Sequence, residues 1–194
     1  MDENENENEY YASQAAYGSR NDEFELLKKG YKKDMGLSNE YASVFGKGND
    51  AILAYRGTKL NDARDLRADV SIAFNLQKYD PEFKEAREIA KKVSSKYKGK
   101  LSLTGHSLGG TKAIEVGKDY RNAKITAYNP GTGIVPLDPG NATVYHKYFD
   151  PISSRIGYNS KATIKSSIGT HSLSGFAPIK KVNGRTQKIF KRFK

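Results

Sequence analysis

Apolar positions along the chain change period several times, and each change marks an element. Residues 23–31, EFELLKKGY, carry apolar side chains at helical spacing and predict a short helix. Two strand-like runs follow in YASVFGKGNDAILAY, residues 41–55, around a Gly-Lys-Gly-Asn-Asp turn, and together they predict a hairpin. In DPEFKEAREIAKKVSSKY, residues 80–97, Asp80 is a candidate N-cap and Pro81 suits the first helical position, while Phe83, Ala86, Ala90, Val93 and Tyr97 recur on one face. That spacing predicts the clearest helix in the chain. LSLT at 101–104 then reads as a strand, SLGGTKAIEVGKDY at 107–120 resumes helical spacing, and AKITAY, ATVYHKYF and the weaker KATIKS are further strands. Strands alternating with helices predict an α/β fold with a mainly parallel sheet, covered by helices on both faces. The 194 residues suit one domain with a sizeable core.

Both ends depart from this pattern. MDENENENE holds five acids and no base, and residues 1–20 read as a flexible acidic arm outside the fold. The folded body is therefore expected over 21–179. From Lys180 the chain carries seven basic and no acidic residues, interleaved with Val182, Ile189, Phe190 and Phe193, and 180–194 reads as a basic-aromatic tail. Net charge is +11, and without the acidic start the body reaches +16, a balance that favours anionic partners such as acidic lipid headgroups or a polyanion. No nucleic-acid recognition motif accompanies it, so nucleic acid is not expected as the partner.

Cysteine is absent, which excludes disulfides, thiolate metal sites and a cysteine nucleophile. Three dispersed histidines give no metal-ligand spacing, and neither metal nor cofactor is expected. No basic-then-apolar leader opens the chain, and no run approaches a membrane span. The expectation is a soluble, intracellular protein.

LSLTGHSLGG sets Ser107 between Gly105 and Gly109. A Gly-x-Ser-x-Gly frame is weak alone, but here an apolar strand precedes it and a helix comes after. In that setting the glycines permit a sharp strand-to-helix turn that lifts the hydroxyl clear of the sheet, beside the free amides of a helix start. A second His-Ser-Leu occurs in GTHSLSG, residues 169–175, but Ser172 has Thr170 and Ser174 where an elbow needs glycine. The first copy is expected to supply a serine and the second a histidine.

A serine hydroxyl becomes nucleophilic when a histidine takes its proton and a carboxylate orients that histidine. His106 adjoins Ser107 and is directed away from it, so it is expected to pack. His171 lies on a loop after a strand, where open parallel sheets assemble their sites, and is the preferred base; His146, inside a strand, is the alternative. Asp150 comes directly after the strand at 142–149 and is the preferred acid over Asp138, which precedes that strand. The order Ser107, Asp150, His171 is that of an α/β hydrolase, here a compact single-domain one with an N-terminal hairpin.

Four stretches, AILAYRGT, LSLTGHSLGG, ITAYNPGTG and YFDPISSRI with THSLSGF, resemble in order the class 3 lipases, the fungal-lipase-like branch of the α/β hydrolases, over about residues 41–176. The resemblance implies that Thr58 lends its amide to an oxyanion hole, with the amide of Leu108 as second donor. It also implies a mobile lid over 59–80 and a buttressing role for Asp69, although the aromatic residue usual near Leu66 is missing. The function expected is that of a serine carboxylester hydrolase acting on lipid acyl esters, with a phospholipase A1-like activity as its refinement. The basic body would favour contact with an anionic membrane surface. Two alternatives stand beside it: a non-catalytic polyanion- or nucleic-acid-binding protein on the same scaffold, and a peptide or thioester hydrolase using the same triad.

Overall fold

A computed structural model of the chain describes residues 6–57, 81–133, 136–157, 159–182 and 185–188. Seven strands form one sheet in the order of the sequence: β1 (Lys32–Lys33), β2 (Ala42–Lys47), β3 (Asp50–Tyr55), β4 (Leu101–His106), β5 (Lys124–Tyr128), β6 (Thr143–Lys147) and β7 (Thr163–Ser167). The first two pairings are antiparallel, and β3 to β7 run parallel. The hairpin at 41–55 is β2–β3, in register from Ala42 opposite Tyr55 to Lys47 opposite Asp50. Gly48 supplies the positive φ of 56° that its tight turn needs.

Each strand of the parallel set lies beside the one before it, so right-handed crossovers carry α3 (Pro81–Lys96) and α4 (Leu108–Gly117) to the same face, where they touch. Alternation along β3 shows both faces at once. Leu53 and Tyr55 point into the core beneath Ala86, Ala90 and Val93 of α3, whereas Ile52 and Ala54 point the other way. As predicted, Phe83, Ala86, Ala90 and Val93 are buried, with Ile89 added to them. Asp80, its expected cap, lies outside the described residues.

The cover on the opposite face corrects the reading of the N-terminus. Residues 7–16 are not a flexible arm; they form α1 (Glu7–Ala16), which leads into α2 (Arg20–Lys28). Tyr10, Tyr11, Ala12 and Ala15 are buried against Phe45, Ile52, Ala54 and Tyr128 of the sheet. Fully burying a large side chain of this kind is worth about 2 kcal/mol, so the helix is part of the core. Its charges are neutralised in place, since Glu7 bonds Lys29 at 2.6 Å and Glu9 bonds Lys124 at 3.2 Å. Ser13 Oγ shares a hydrogen bond of 2.9 Å with Thr104 Oγ1 of β4. The acidic composition had concealed one apolar face in YYASQAA.

At the other end, the stretch read as a tail begins with a second small sheet, in which β8 (Ile179–Val182) pairs antiparallel with β9 (Arg185–Lys188). Residues 189–194 lie outside the described set. No helix among the described residues is long and apolar enough to cross a membrane.

Candidate active site

Ser107 is the single residue between β4 and α4, and its backbone carries the cost of that turn. With φ 57° and ψ −130° it falls outside the wells that L-residues favour, a strain of about 1–3 kcal/mol. The glycines explain how so tight a turn fits. A side chain on Gly105 would strike the backbone of Gly109, and one on Gly109 would strike the Tyr55 carbonyl. The turn is pinned on both sides: Ser107 N donates to Tyr128 O at 3.1 Å, and Ser107 O accepts from the amides of Gly110, Thr111 and Gly131 at 2.9, 3.2 and 3.1 Å. The side chain is buried, and its Oγ has no hydrogen-bond partner among the described residues. Leu108 opens α4, where helical geometry leaves the first amides without an intrahelical acceptor. Thr58, the lid segment 59–80 and Asp69 lie outside the described residues.

Asp150 and His171 come together as the strand ends suggested. Asp150 lies just beyond β6 and is fully buried; its Oδ2 lies 2.6 Å from His171 Nδ1, on the loop after β7. Ser153 Oγ donates to the same oxygen at 2.6 Å, and the Ile152 amide donates to Oδ1 at 3.0 Å. Burial pushes the Asp150 carboxyl up, but hydrogen bonds from His171, Ser153 and Ile152 and the charge of the imidazole outweigh it, so its pKa is lowered. An ionised carboxylate only accepts, so Nδ1 of His171 carries a proton, and whenever the ring is neutral Nε2 is its lone-pair acceptor. That Nε2 is buried and, like Ser107 Oγ, has no partner among the described residues. The hydroxyl and imidazole are not hydrogen-bonded to each other in this state, although His106, next to Ser107, has its ring centroid 4.7 Å from that of His171.

The alternatives lie elsewhere. Asp138 is at a turn, accepting from Gly140 N and Asn159 Nδ2, both at 3.0 Å. His146 meets Ser166 Oγ across β6 and β7 at 2.5 Å. Ser172 is exposed in extended backbone and contacts Ser174 Oγ at 2.7 Å. Among the described residues, no three His, Asp or Glu side chains gather into a metal-binding group.

One residue that shapes the site had been read only as part of a motif. Asn129, at the exit of β5, has φ 40° and is completely buried. Its Oδ1 accepts from Lys147 N at 2.9 Å, and its Nδ2 donates to Thr170 O at 3.3 Å, tying β5 to β6 and to the peptide before His171. The signal was present in TAYNPG, since Asn tolerates positive φ far better than most residues.

The Tle-like phospholipase domain, a phospholipase-like family, matches residues 11–131. The chain belongs to this family. The match takes in residues 11–16 of α1, the hairpin, the elbow at Ser107 and the Asn129-Pro130-Gly131 exit, so the greater part of the N-terminal helix lies inside the family domain. It makes the chain a phospholipase- or lipase-like hydrolase by family, without singling out the class 3 lipases. Asp150 and His171 lie beyond its end. No curated protein sequence matches the chain.

Proposed function

We propose that this Tle-like phospholipase domain is a serine carboxylester hydrolase of lipids, with Ser107 as nucleophile, His171 as general base and Asp150 as the orienting carboxylate. The observation that carries the reading is a pair of unsatisfied atoms. Ser107 Oγ and His171 Nε2 are both buried and unpartnered among the described residues, while the other imidazole nitrogen is bound to a buried carboxylate. Leaving a buried polar group unsatisfied costs about 1–3 kcal/mol, so two such atoms beside each other's neighbours suggest a site kept open for a reacting group. Bonds of this kind are often long before substrate arrives and tighten around it.

In the reaction, Ser107 Oγ bonds to the acyl carbon as its proton passes to His171 Nε2. The imidazolium that results is stabilised by Asp150. The carbonyl oxygen becomes an oxyanion facing the Leu108 amide and, by the resemblance to class 3 lipases, Thr58; each donor of this kind is typically worth roughly 10²–10³ in turnover. Collapse breaks the bond to the alcohol oxygen, which takes the proton from His171. Water, deprotonated by the same nitrogen, then bonds to the acyl carbon; the bond to Ser107 Oγ breaks, the fatty acid leaves, and the proton returns from His171 to Oγ.

The rim of this site suits a lipid surface. Tyr148 and Phe149, just before Asp150, are 66% and 77% exposed, and Ile168, three residues before His171, is 78% exposed. The Tyr148 amide bonds Ser167 O at 3.0 Å, which brings the two loops side by side. Residues 151–176 carry Arg155, Lys161 and Lys165 and no acidic residue. Apolar tips beside a cationic flank suit an anionic bilayer, to which each basic group near the surface adds about 1 kcal/mol.

Fluorophosphonate labelling of Ser107, together with turnover on a panel of phospholipids, triglyceride, thioester and peptide, tests the reaction and its substrate class. Phospholipid cleavage at the sn-1 ester is the expected preference. Full turnover by Ser107→Ala would remove the nucleophile assignment. For the membrane face, Phe149→Ser with Ile168→Ser should abolish sedimentation with phosphatidylglycerol vesicles and spare hydrolysis of soluble p-nitrophenyl butyrate.

A further inference from the structure

Tyr17 comes directly after α1, and its hydroxyl lies against the backbone that leads into the elbow. It accepts a hydrogen bond from Gly57 N at 3.0 Å, donates to His106 O at 3.2 Å and lies 3.4 Å from His106 Nδ1. On the other side of that imidazole, His106 Nε2 is 2.6 Å from His171 O. A carbonyl oxygen only accepts, so Nε2 carries the proton and the lone pair of Nδ1 faces the Tyr17 hydroxyl. The ring also stays neutral, because burial, reinforced by the neighbouring His171, lowers the His106 pKa to about 3. Burial pushes the Tyr17 hydroxyl up to about 12, so it keeps its proton.

We propose that Tyr17 and His106 are positioning residues for the reaction, forming one hydrogen-bonded strut from Gly57, on the chain leaving β3, to the backbone of His171. The proposal rests on the reading of Ser107 and His171 as nucleophile and base. Its two ends meet the two halves of that reaction. At one end, Gly57 passes so close to the elbow that an added Cβ would lie 3.2 Å from Ser107 Cβ and would strike both the Tyr17 hydroxyl and the His106 carbonyl. The amide held by Tyr17 therefore fixes how the chain crosses above the nucleophile on its way to residue 58. At the other end, the carbonyl of His171 is held by His106, and that of Thr170 by Asn129. Two successive carbonyls on fixed donors set the direction in which the His171 side chain leaves the loop.

Shape alone does not account for the pair. A phenylalanine would fill the Tyr17 site equally well, but it would leave the Gly57 amide without its acceptor and the His106 carbonyl without this donor. The strut is built of neutral groups, so it holds across the whole working range of pH. It also gives the N-terminal helix a role in the chemistry that burial alone would not reveal.

The decisive measurements are kcat and KM on soluble p-nitrophenyl butyrate, and the rate of fluorophosphonate labelling, for Tyr17→Phe, His106→Leu and His106→Gln. Misplacing a reacting group by about 1 Å can cost roughly 10²-fold, so Tyr17→Phe and His106→Leu should each lower kcat about tenfold or more. KM should stay near wild type, and labelling should slow in parallel. His106→Gln, whose amide can donate to the same carbonyl, should recover most of the loss. Wild-type kcat in Tyr17→Phe and His106→Leu, or a Gln variant no better than Leu, overturns the strut. If Tyr17→Phe does not fold, the Leu and Gln variants decide alone. Wild-type protein that resists the fluorophosphonate overturns the hydrolase reading and the strut with it, whereas equal labelling of wild type and variants overturns the strut alone.

Discussion

The two His-Ser-Leu stretches share three letters and almost nothing else. In the first, Ser107 has a strained backbone, is buried and opens a helix, and its histidine is a neutral packing and bonding group. In the second, the serine is exposed in relaxed extended backbone, and the histidine is bonded to a buried carboxylate. The difference arises from the flanking residues: Gly105 and Gly109 permit the turn at the first, and Thr170 and Ser174 do not at the second. A residue's chemistry is thus set by which neighbours lack a side chain, and by which strand end delivers it to the sheet edge.

Exchanging roles between the copies should fail by amounts that rank these causes. Ser107→Ala should lower kcat by roughly 10⁴-fold or more, while Ser172→Ala should stay within about twofold, as measured on p-nitrophenyl butyrate. A second serine able to act would appear as residual turnover in the first variant and none in the double variant. Asp150→Asn should cost roughly 10²–10⁴-fold in kcat, because the amide no longer enforces the tautomer that leaves Nε2 of His171 free; Asp138→Asn should leave kcat unchanged.

Stability should separate the copies as well. Gly109→Ala drives a methyl group into the Tyr55 carbonyl and should destabilise the protein by about 2 kcal/mol or more in urea titrations. Ser174→Ala, at the matching position of the second copy, should cost less than about 0.5 kcal/mol.

The last expected effect is on pH. The unfolded chain protonates histidine near its ordinary value of about 6.5, whereas folded His106 resists protonation down to about 3. The unfolded state then binds more protons, so this contribution to stability is complete above about 6.5 and is lost as pH falls through that window. Asp150, lowered below its ordinary value, adds a loss only under more acidic conditions. The urea midpoint should therefore fall between pH 6.5 and 4.5, and His106→Gln should flatten that fall. An unchanged slope would show that desolvation of the ring is not its source.

Much of this was legible in the sequence, for identifiable reasons. The elbow could be read because the need for room at Gly105 and Gly109 arises from atoms within a few residues. Asp150 could be preferred over Asp138 because a parallel strand delivers the residues at its carboxyl end to one edge of the sheet. The helix α1 was missed because Glu and Asn dominate its beginning, and the lysines that neutralise Glu7 and Glu9 lie 22 and 115 positions away. Tyr17 and Asn129 escaped notice for a related reason. Their partners are backbone atoms of distant segments, and a backbone atom leaves no letter to match.

The seat of α1 has a consequence for biosynthesis. Tyr10 and Tyr11 leave the ribosome ahead of the surface that receives them, which extends to Phe45, Ile52 and Tyr128. Over a hundred residues must be translated before that helix can dock, and until then its aromatic face is open to solvent or to a chaperone. Docking of that helix therefore waits for β5, so a segment that precedes every strand of the sheet settles only once five of them are in place.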